Sequence, residues 1–375
     1  MDADTWGRSD AVLDRAREGL DRDREAVLVT LVDVEGSAYR RPGAKRLLAP
    51  AGESVGTVVP GCLDARLERL AESVLDDGEA TTATFDLRDD DTWGVGVGCD
   101  GTVTVLVEPL GSDLEPALDA LAARRTVAVV TVIDSEGNRP PVGERAVFDT
   151  TGSPVTSHNI PWLDTHIAAL LGNQDEPTTG AVTLDGPDGD VEVFVDWVEP
   201  PPQLVVFGVG PDVDPLVESA RIAGFSPTVV GFRTSTAQQR FPDAEVVSTR
   251  PADIREAVEF DTDTVAVVAT HNFVDDQVTV EQLLATPVPY IGIVGSRDRF
   301  ERLVEALDGD RSPSADDRLY GPAGLDIGGE TPGRIALSVV SEALAVRNDR
   351  APRHLRDRGG PIHERRSPGS DGPQQ

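Results

Sequence analysis

Gln203-Leu204-Val205-Val206-Phe207-Gly208-Val209-Gly210-Pro211-Asp212 sets the reading of the second half of the chain. A continuous apolar run enters a glycine turn, as a buried strand of a parallel sheet does where it hands over to a helix. The helix follows at once, with Val213, Leu216, Val217, Ala220, Ile222 and Ala223 on its apolar face. Thr228-Val229-Val230-Gly231-Phe232 is the next strand, so the three segments form a βαβ unit of Rossmann length. Gly208 permits the tight turn, and Gly210, ahead of Pro211 and Asp212, lets the backbone approach a phosphate at the helix N-terminus. Val213 stands at the third glycine position, and Gly231-Phe232-Arg233 stands where an acid would bind a ribose. The pattern argues for the fold more strongly than for a dinucleotide.

Three further strand ends are polar. Thr264–Thr270 runs into His271-Asn272-Phe273, and Tyr290–Val294 runs into Gly295-Ser296-Arg297. Gly321-Pro322-Ala323-Gly324-Leu325-Asp326-Ile327-Gly328-Gly329-Glu330-Thr331 precedes a helix that reaches Val346. In a parallel sheet these loops gather at the carboxyl edge, where ligands bind. His271, Asn272, Gly295, Arg297, Asp326 and Gly328 therefore join Gly208, Gly210, Pro211 and Asp212 as candidate cofactor-binding residues, for a nucleotide among others. The competing reading is local, with Asn272 and Ser296 capping helices and the glycines turning the chain.

Glu199-Pro200-Pro201-Pro202 reads as a stiff linker. It divides an N-terminal mixed α/β domain, residues 1–199, from the Rossmann-like parallel-sheet domain, residues 203–348. Residues 349–375, rich in Arg, Pro, Gly and Ser, read as a flexible tail.

The N-terminal domain opens with an amphipathic helix over residues 8–22 and a buried strand over 26–32. The loop Glu35-Gly36-Ser37-Ala38-Tyr39-Arg40-Arg41-Pro42-Gly43-Ala44-Lys45-Arg46 then concentrates cations beside small residues. Gly36, Ser37, Arg40, Arg41 and Lys45 suit a phosphate or another oxyanion, and a loop paired with surface carboxylates is the alternative. A hairpin leads to Gly61-Cys62-Leu63 and a helix opening at Asp64. A cysteine just ahead of a helix N-terminus has its thiolate favoured. The second cysteine, Cys99, follows Gly98 in Trp93-Gly94-Val95-Gly96-Val97-Gly98-Cys99-Asp100-Gly101. The pair marks either a site for a soft, sulfur-bearing anion or two packed thiols. Thr30-Leu31-Val32-Asp33-Val34-Glu35-Gly36 is echoed by Thr131-Val132-Ile133-Asp134-Ser135-Glu136-Gly137, either a duplicated half-site or the same strand–loop–hairpin used twice for packing. In the second copy His158 and Asn159 occupy the later turn, and no cysteine is present.

The 375 residues carry 34 basic and 66 acidic side chains, a net charge of −32. With acidic residues spread over a well-patterned chain, this composition suits a folded protein of a salt-rich cytoplasm, a halophilic acidic proteome, where repulsion is screened. It disfavours nucleic-acid binding, because no basic stripe displaces counterions from phosphates. No apolar run approaches the length of a membrane span, and the acidic start is no signal peptide, so a cytoplasmic location without membrane attachment is expected.

Taken together, Glu35–Gly43, Gly61-Cys62-Leu63, Gly94–Cys99, Phe207–Asp212, Thr270–Phe273 and Gly321–Thr331 resemble the XdhC/CoxI family to about residue 348. The resemblance implies an accessory factor for molybdenum hydroxylases of the xanthine dehydrogenase or carbon monoxide dehydrogenase type. Such a factor binds the molybdenum cofactor (molybdopterin), protects it during exchange of an oxo ligand for sulfur supplied by a cysteine desulfurase, and delivers it. A cofactor chaperone, sometimes a homodimer, is thereby expected rather than a stand-alone enzyme. By the same analogy Cys62 and Cys99 handle sulfur or the cofactor, Cys62 at the molybdenum, with Gly61 and Gly98 beside them. Pro60 and Asp100 depart from the family's more usual glycines, and Asp100 would raise the pKa of Cys99. The alternatives are an NAD(P)-dependent oxidoreductase built on Gly208 and Gly210, and a scaffold that holds the hydroxylase without cofactor.

Overall fold

The computed structural model describes residues 9–22, 24–49, 54–59, 61, 63–87, 101–136, 140–172, 178–232, 240–307 and 316–359. Cys62, Gly98 and Cys99 lie outside them, as does most of the tail. The chain divides into two compact units at Pro200/Pro201.

The first unit is a duplication. Its first half contains β1 (Val27–Gly36), β2 (Lys45–Leu48), β3 (Ser54–Gly56), α2 (Asp64–Asp77), β4 (Thr81–Asp86) and β5 (Gly101–Pro109). Its second half repeats the plan with β6 (Val127–Ser135), β7 (Arg145–Phe148), α4 (Leu163–Gly172), β8 (Gly180–Gly186) and β9 (Gly189–Val198). The sheets run β3-β2-β1-β5-β4 and β7-β6-β9-β8, all antiparallel. The likeness extends to irregularities. The ladder slips between Leu31 and Asp33 in β1 and between Val132 and Asp134 in β6. Gly43 and Gly143 both have positive φ, and their N–H groups donate to the Leu31 and Val132 carbonyls at 2.8 and 2.9 Å.

Each sheet buries one face under its own helix. Leu67, Ala71 and Val74 of α2 pack on Val29, Leu31, Val105 and Val107, and Leu163, Ile167 and Leu171 of α4 pack on Val130, Val132 and Val193. The other faces meet at Val32, Leu106, Ile133 and Phe194, two equivalent residues from each copy. The helices α1 (Ser9–Asp21) and α3 (Glu115–Ala122) share a core with strands of both halves. Helical spacing of the apolar residues accounts for these helices, and strand alternation accounts for the sheets.

Two charged contacts cross between the copies. Lys45 of β2 donates to Asp196 of β9, and Arg145 of β7 donates to Glu108 of β5, with all four side chains 9% exposed or less. This corrects the expectation that Lys45 belongs to an anion-binding loop. The strand alternation of β2 turns it inward, where Asp196 takes its charge. Arg46 is also buried, and it pairs with Asp64 at the start of α2.

The second unit is a parallel sheet ordered β12-β11-β10-β13-β14-β15. Its strands are β10 (Gln203–Phe207), β11 (Ser226–Gly231), β12 (Glu245–Ser248), β13 (Thr264–Val268), β14 (Tyr290–Ile293) and β15 (Leu319–Tyr320). Helices α5 (Val213–Ile222) and α8 (Pro332–Arg347) pack on one face, around Val206, Val229 and Val267. Helices α6 (Phe273–Leu284) and α7 (Arg297–Leu307) pack on the other, around Val205, Phe207 and Ile291. The strand order reverses between β10 and β13, as in doubly wound folds. Among the described residues no helix is long and apolar enough to cross a membrane.

Removing one partner of a buried pair leaves an uncompensated charge. Asp196→Ala should therefore destabilise the first unit by about 3–5 kcal/mol in urea unfolding, and Lys45→Met combined with Asp196→Leu should recover most of that loss. A single-variant cost below about 1 kcal/mol would mean that the pair behaves as a surface contact.

Candidate functional site

In the first unit the end of β1 meets the start of β5 through Gly36 and Gly101, where the Ser37–Ala44 loop leaves the sheet. The start of β2 lies beside the end of β3 through Arg46 and Gly56, opposite Val29 of β1. Gly101 has no room for a side chain, since a Cβ there would sit 2.9 Å from the Ser37 N and O atoms. Cys62 and Cys99 lie outside the described residues; the Arg46–Asp64 pair ties the start of α2, just beyond Leu63, to β2.

At this end Ser37 and Gly36 are exposed and Tyr39 is 69% exposed, while Arg40 and Arg41 are half-buried on the loop. Burial lowers the pKa of the Arg40 guanidinium, with Tyr39 opposing the shift. Two of the four loop cations thus stay at the surface, and Lys45 and Arg46 serve the core.

In the second unit the reversal point lies between the β10 and β13 loops. Gly208, φ 138°, is wedged there, because a Cβ would sit 2.3 Å from the Ala269 carbonyl oxygen. His271 has φ 58°, a left-handed conformation that costs about 1 kcal/mol or more for a residue other than glycine. It places Nε2 2.9 Å from Asp212 Oδ2, bridging the two loops. Arg240 donates to the Val209 and Gly210 carbonyls at 2.5 and 2.7 Å and pairs with Asp214. Asp212, at the N-cap of α5, thus puts a carboxylate where a diphosphate would meet the helix.

The remaining candidates divide. Asn272 caps α6, its Oδ1 accepting from the Val274 and Asp275 N–H groups at 3.0 and 3.2 Å. Ser296 accepts from the Arg299 N–H at 3.2 Å. Pro211, Gly295, Asp326 and Gly328 are exposed on loops, and Arg297 is exposed at the first position of α7. Asp276, nearly fully buried, accepts from Arg299 at 2.5 Å and from Thr270, joining the ends of β13 and β14. Sequence reasoning missed Glu108, Arg145, Asp196, Arg240 and Asp276. A carboxylate at the end of an apolar run, as in Val105-Leu106-Val107-Glu108 and Val193-Phe194-Val195-Asp196, was the available signal.

Comparison with known proteins agrees with this architecture. Residues 204–343 match the XdhC Rossmann domain, and residues 10–86 match the XdhC and CoxI family. A Bacillus subtilis protein, named as a probable subunit of xanthine dehydrogenase, is 32% identical over 336 residues, covering 88% of this chain and 95% of that protein. The uncharacterized protein YqeB of Escherichia coli is 25% identical over 241 residues, 59% of this chain and 44% of its own length. A crystal structure described as a xanthine dehydrogenase from Bacillus halodurans superposes with a TM-score of 0.71 at 30% identity, covering 90% of this chain and 96% of that one. With both halves matched in order and a relative covered almost end to end, the chain belongs to the XdhC/CoxI family.

Proposed function

We propose that this protein is a maturation factor that carries the molybdenum cofactor to a hydroxylase of the xanthine dehydrogenase type. The observation that supports the reading is the loop between β1 and β2, where Gly36, Ser37 and Tyr39 are exposed and Arg40 and Arg41 are half-buried. Molybdopterin presents a phosphate, a flat pterin and a sulfur-bound metal. Arg40 and Arg41 would hold the phosphate, with the Gly36 and Ser37 amides beside them. Tyr39 offers an exposed aromatic face against which a pterin can lie. Cys62 and Cys99 are the soft donors that suit the metal or a transferred sulfur. Lys45 has no part in this cradle.

The cofactor is cargo in this scheme, and a cysteine desulfurase would supply sulfur. The second unit acts as a folded support, its glycine turn closed by Asp212, His271 and Arg240. The relatives named for xanthine dehydrogenase favour that client class.

Replacing Arg40 and Arg41 together by Ala should lower activation of a xanthine dehydrogenase-type apoenzyme by about tenfold or more, the loss expected for a charge-assisted phosphate contact. Cys62→Ala should abolish delivery of the sulfurated form while the fold is retained; wild-type activation by both variants would discard the cradle. Titration of NADH into the full chain should give no saturable fluorescence change, because carboxylates line the turn. A micromolar Kd there would restore the oxidoreductase alternative.

A further inference from the structure

The helix α8 ends at Arg347, whose guanidinium pairs with Asp263 at 3.2 Å. The Asn348, Asp349 and Arg350 N–H groups donate back to the Leu344, Val346 and Ala345 carbonyls, which closes the helix end. Asp349 turns the chain there with φ 49°, and Pro352 bars the helix from resuming. From Asn348 to Asp357 every residue is exposed. A 3₁₀ turn forms within this stretch over Leu355–Asp357, where the Asp357 and Arg358 N–H groups donate to the His354 and Leu355 carbonyls at 3.0 and 3.1 Å.

The composition of this projection is opposite to that of the chain. Residues 350–358 carry Arg350, Arg353, Arg356 and Arg358 against a single acid, Asp357, whereas the whole chain has 66 acids for 34 cations. Arg356 lies 3.7 Å from Asp357, and their side chains remain 80% and 60% exposed. Leu355 stands among these arginines, 61% exposed. A segment that served solubility alone would continue the acidic composition and would not display a leucine. Arginines around an exposed apolar residue are the make-up of a docking peptide: the apolar side chain fills a pocket, and the guanidinium groups pair with carboxylates at its rim.

We propose that residues 350–358 dock this protein onto an acidic groove of its client hydroxylase, with Leu355 entering an apolar pocket and Arg353 and Arg356 pairing with carboxylates beside it. The identity of the client rests on the maturation-factor reading; the chemistry of the docking does not. A chain of net charge −32 is repelled by any partner with an acidic surface, and the repulsion slows their encounter. A cationic projection presents an attractive group to such a partner. Nucleic acid fits less well, because the same contact would draw a polyanion toward the acidic body of the chain.

Interferometry of the full chain on an immobilised xanthine dehydrogenase-type apoenzyme tests the proposal. Replacing Arg353, Leu355 and Arg356 together by Ser should weaken binding at least tenfold, and the gap from the wild type should narrow as salt is raised. All three side chains are exposed, so circular dichroism should show the variant folded. In activation assays the variant should need at least tenfold more protein for half-maximal effect and reach the same plateau, with pterin and molybdenum retained as in the wild type. The interferometry needs no cofactor, so a wild type that retains no pterin removes the maturation reading without touching the docking result. A 20-base-pair DNA duplex is the second probe. Duplex binding that the variant loses, beside an unmoved hydroxylase affinity, would assign the segment to nucleic acid and overturn the proposal. So would a wild type that does not bind the apoenzyme, or equal affinities for wild type and variant.

Discussion

Two buried ion pairs, Lys45 with Asp196 and Arg145 with Glu108, join the copies of the first unit by exchanging a cation for a carboxylate in each direction. A charge buried without its partner costs several kcal/mol, so neither half can separate or slip without exposing or orphaning all four groups. The arrangement is that of a dimer written into one chain, with Val32, Leu106, Ile133 and Phe194 as its apolar centre. Burial pushes Glu108 upward, while Arg145 opposes that shift. Glu108, Asp113 and Asp196 in turn outweigh the burial of Arg145 and raise its pKa, which keeps it cationic.

The two copies differ in the loop after their first strand. The first carries Arg40 and Arg41 there and the second Pro140 and Pro141, with Arg145 beside Glu108 and Asp113. In the second unit the Asp212–His271 bridge and the Arg240 contacts tie together the loops at the point where the strand order reverses.

Much of this was legible in the residues, and the exceptions have physical causes. The strand–turn–helix around Gly208 and Gly210 could be read because strands buried on both faces are apolar throughout. The duplication was visible in Thr30–Gly36 and Thr131–Gly137, the stretches that carry the ladder slip in each copy. Strand β1 runs on through Glu35 and Gly36, beyond its apolar run, because pairing with β5 continues there although the side chains are exposed. Lys45 read as a loop cation because its partner, Asp196, lies 151 residues away. Periodicity carries no information about such a pairing; only the packing of one copy on the other supplies it. Arg240 and Asp276 were hidden for the same reason.

The most direct test of the account is the content of the full chain purified from cells with active cofactor synthesis. Acid iodine oxidation followed by fluorescence reads bound pterin, and plasma mass spectrometry reads molybdenum. Pterin and molybdenum retained together in comparable amounts is the result the account predicts. A chain that retains neither, while cofactor is plentiful in the same cells, would contradict it.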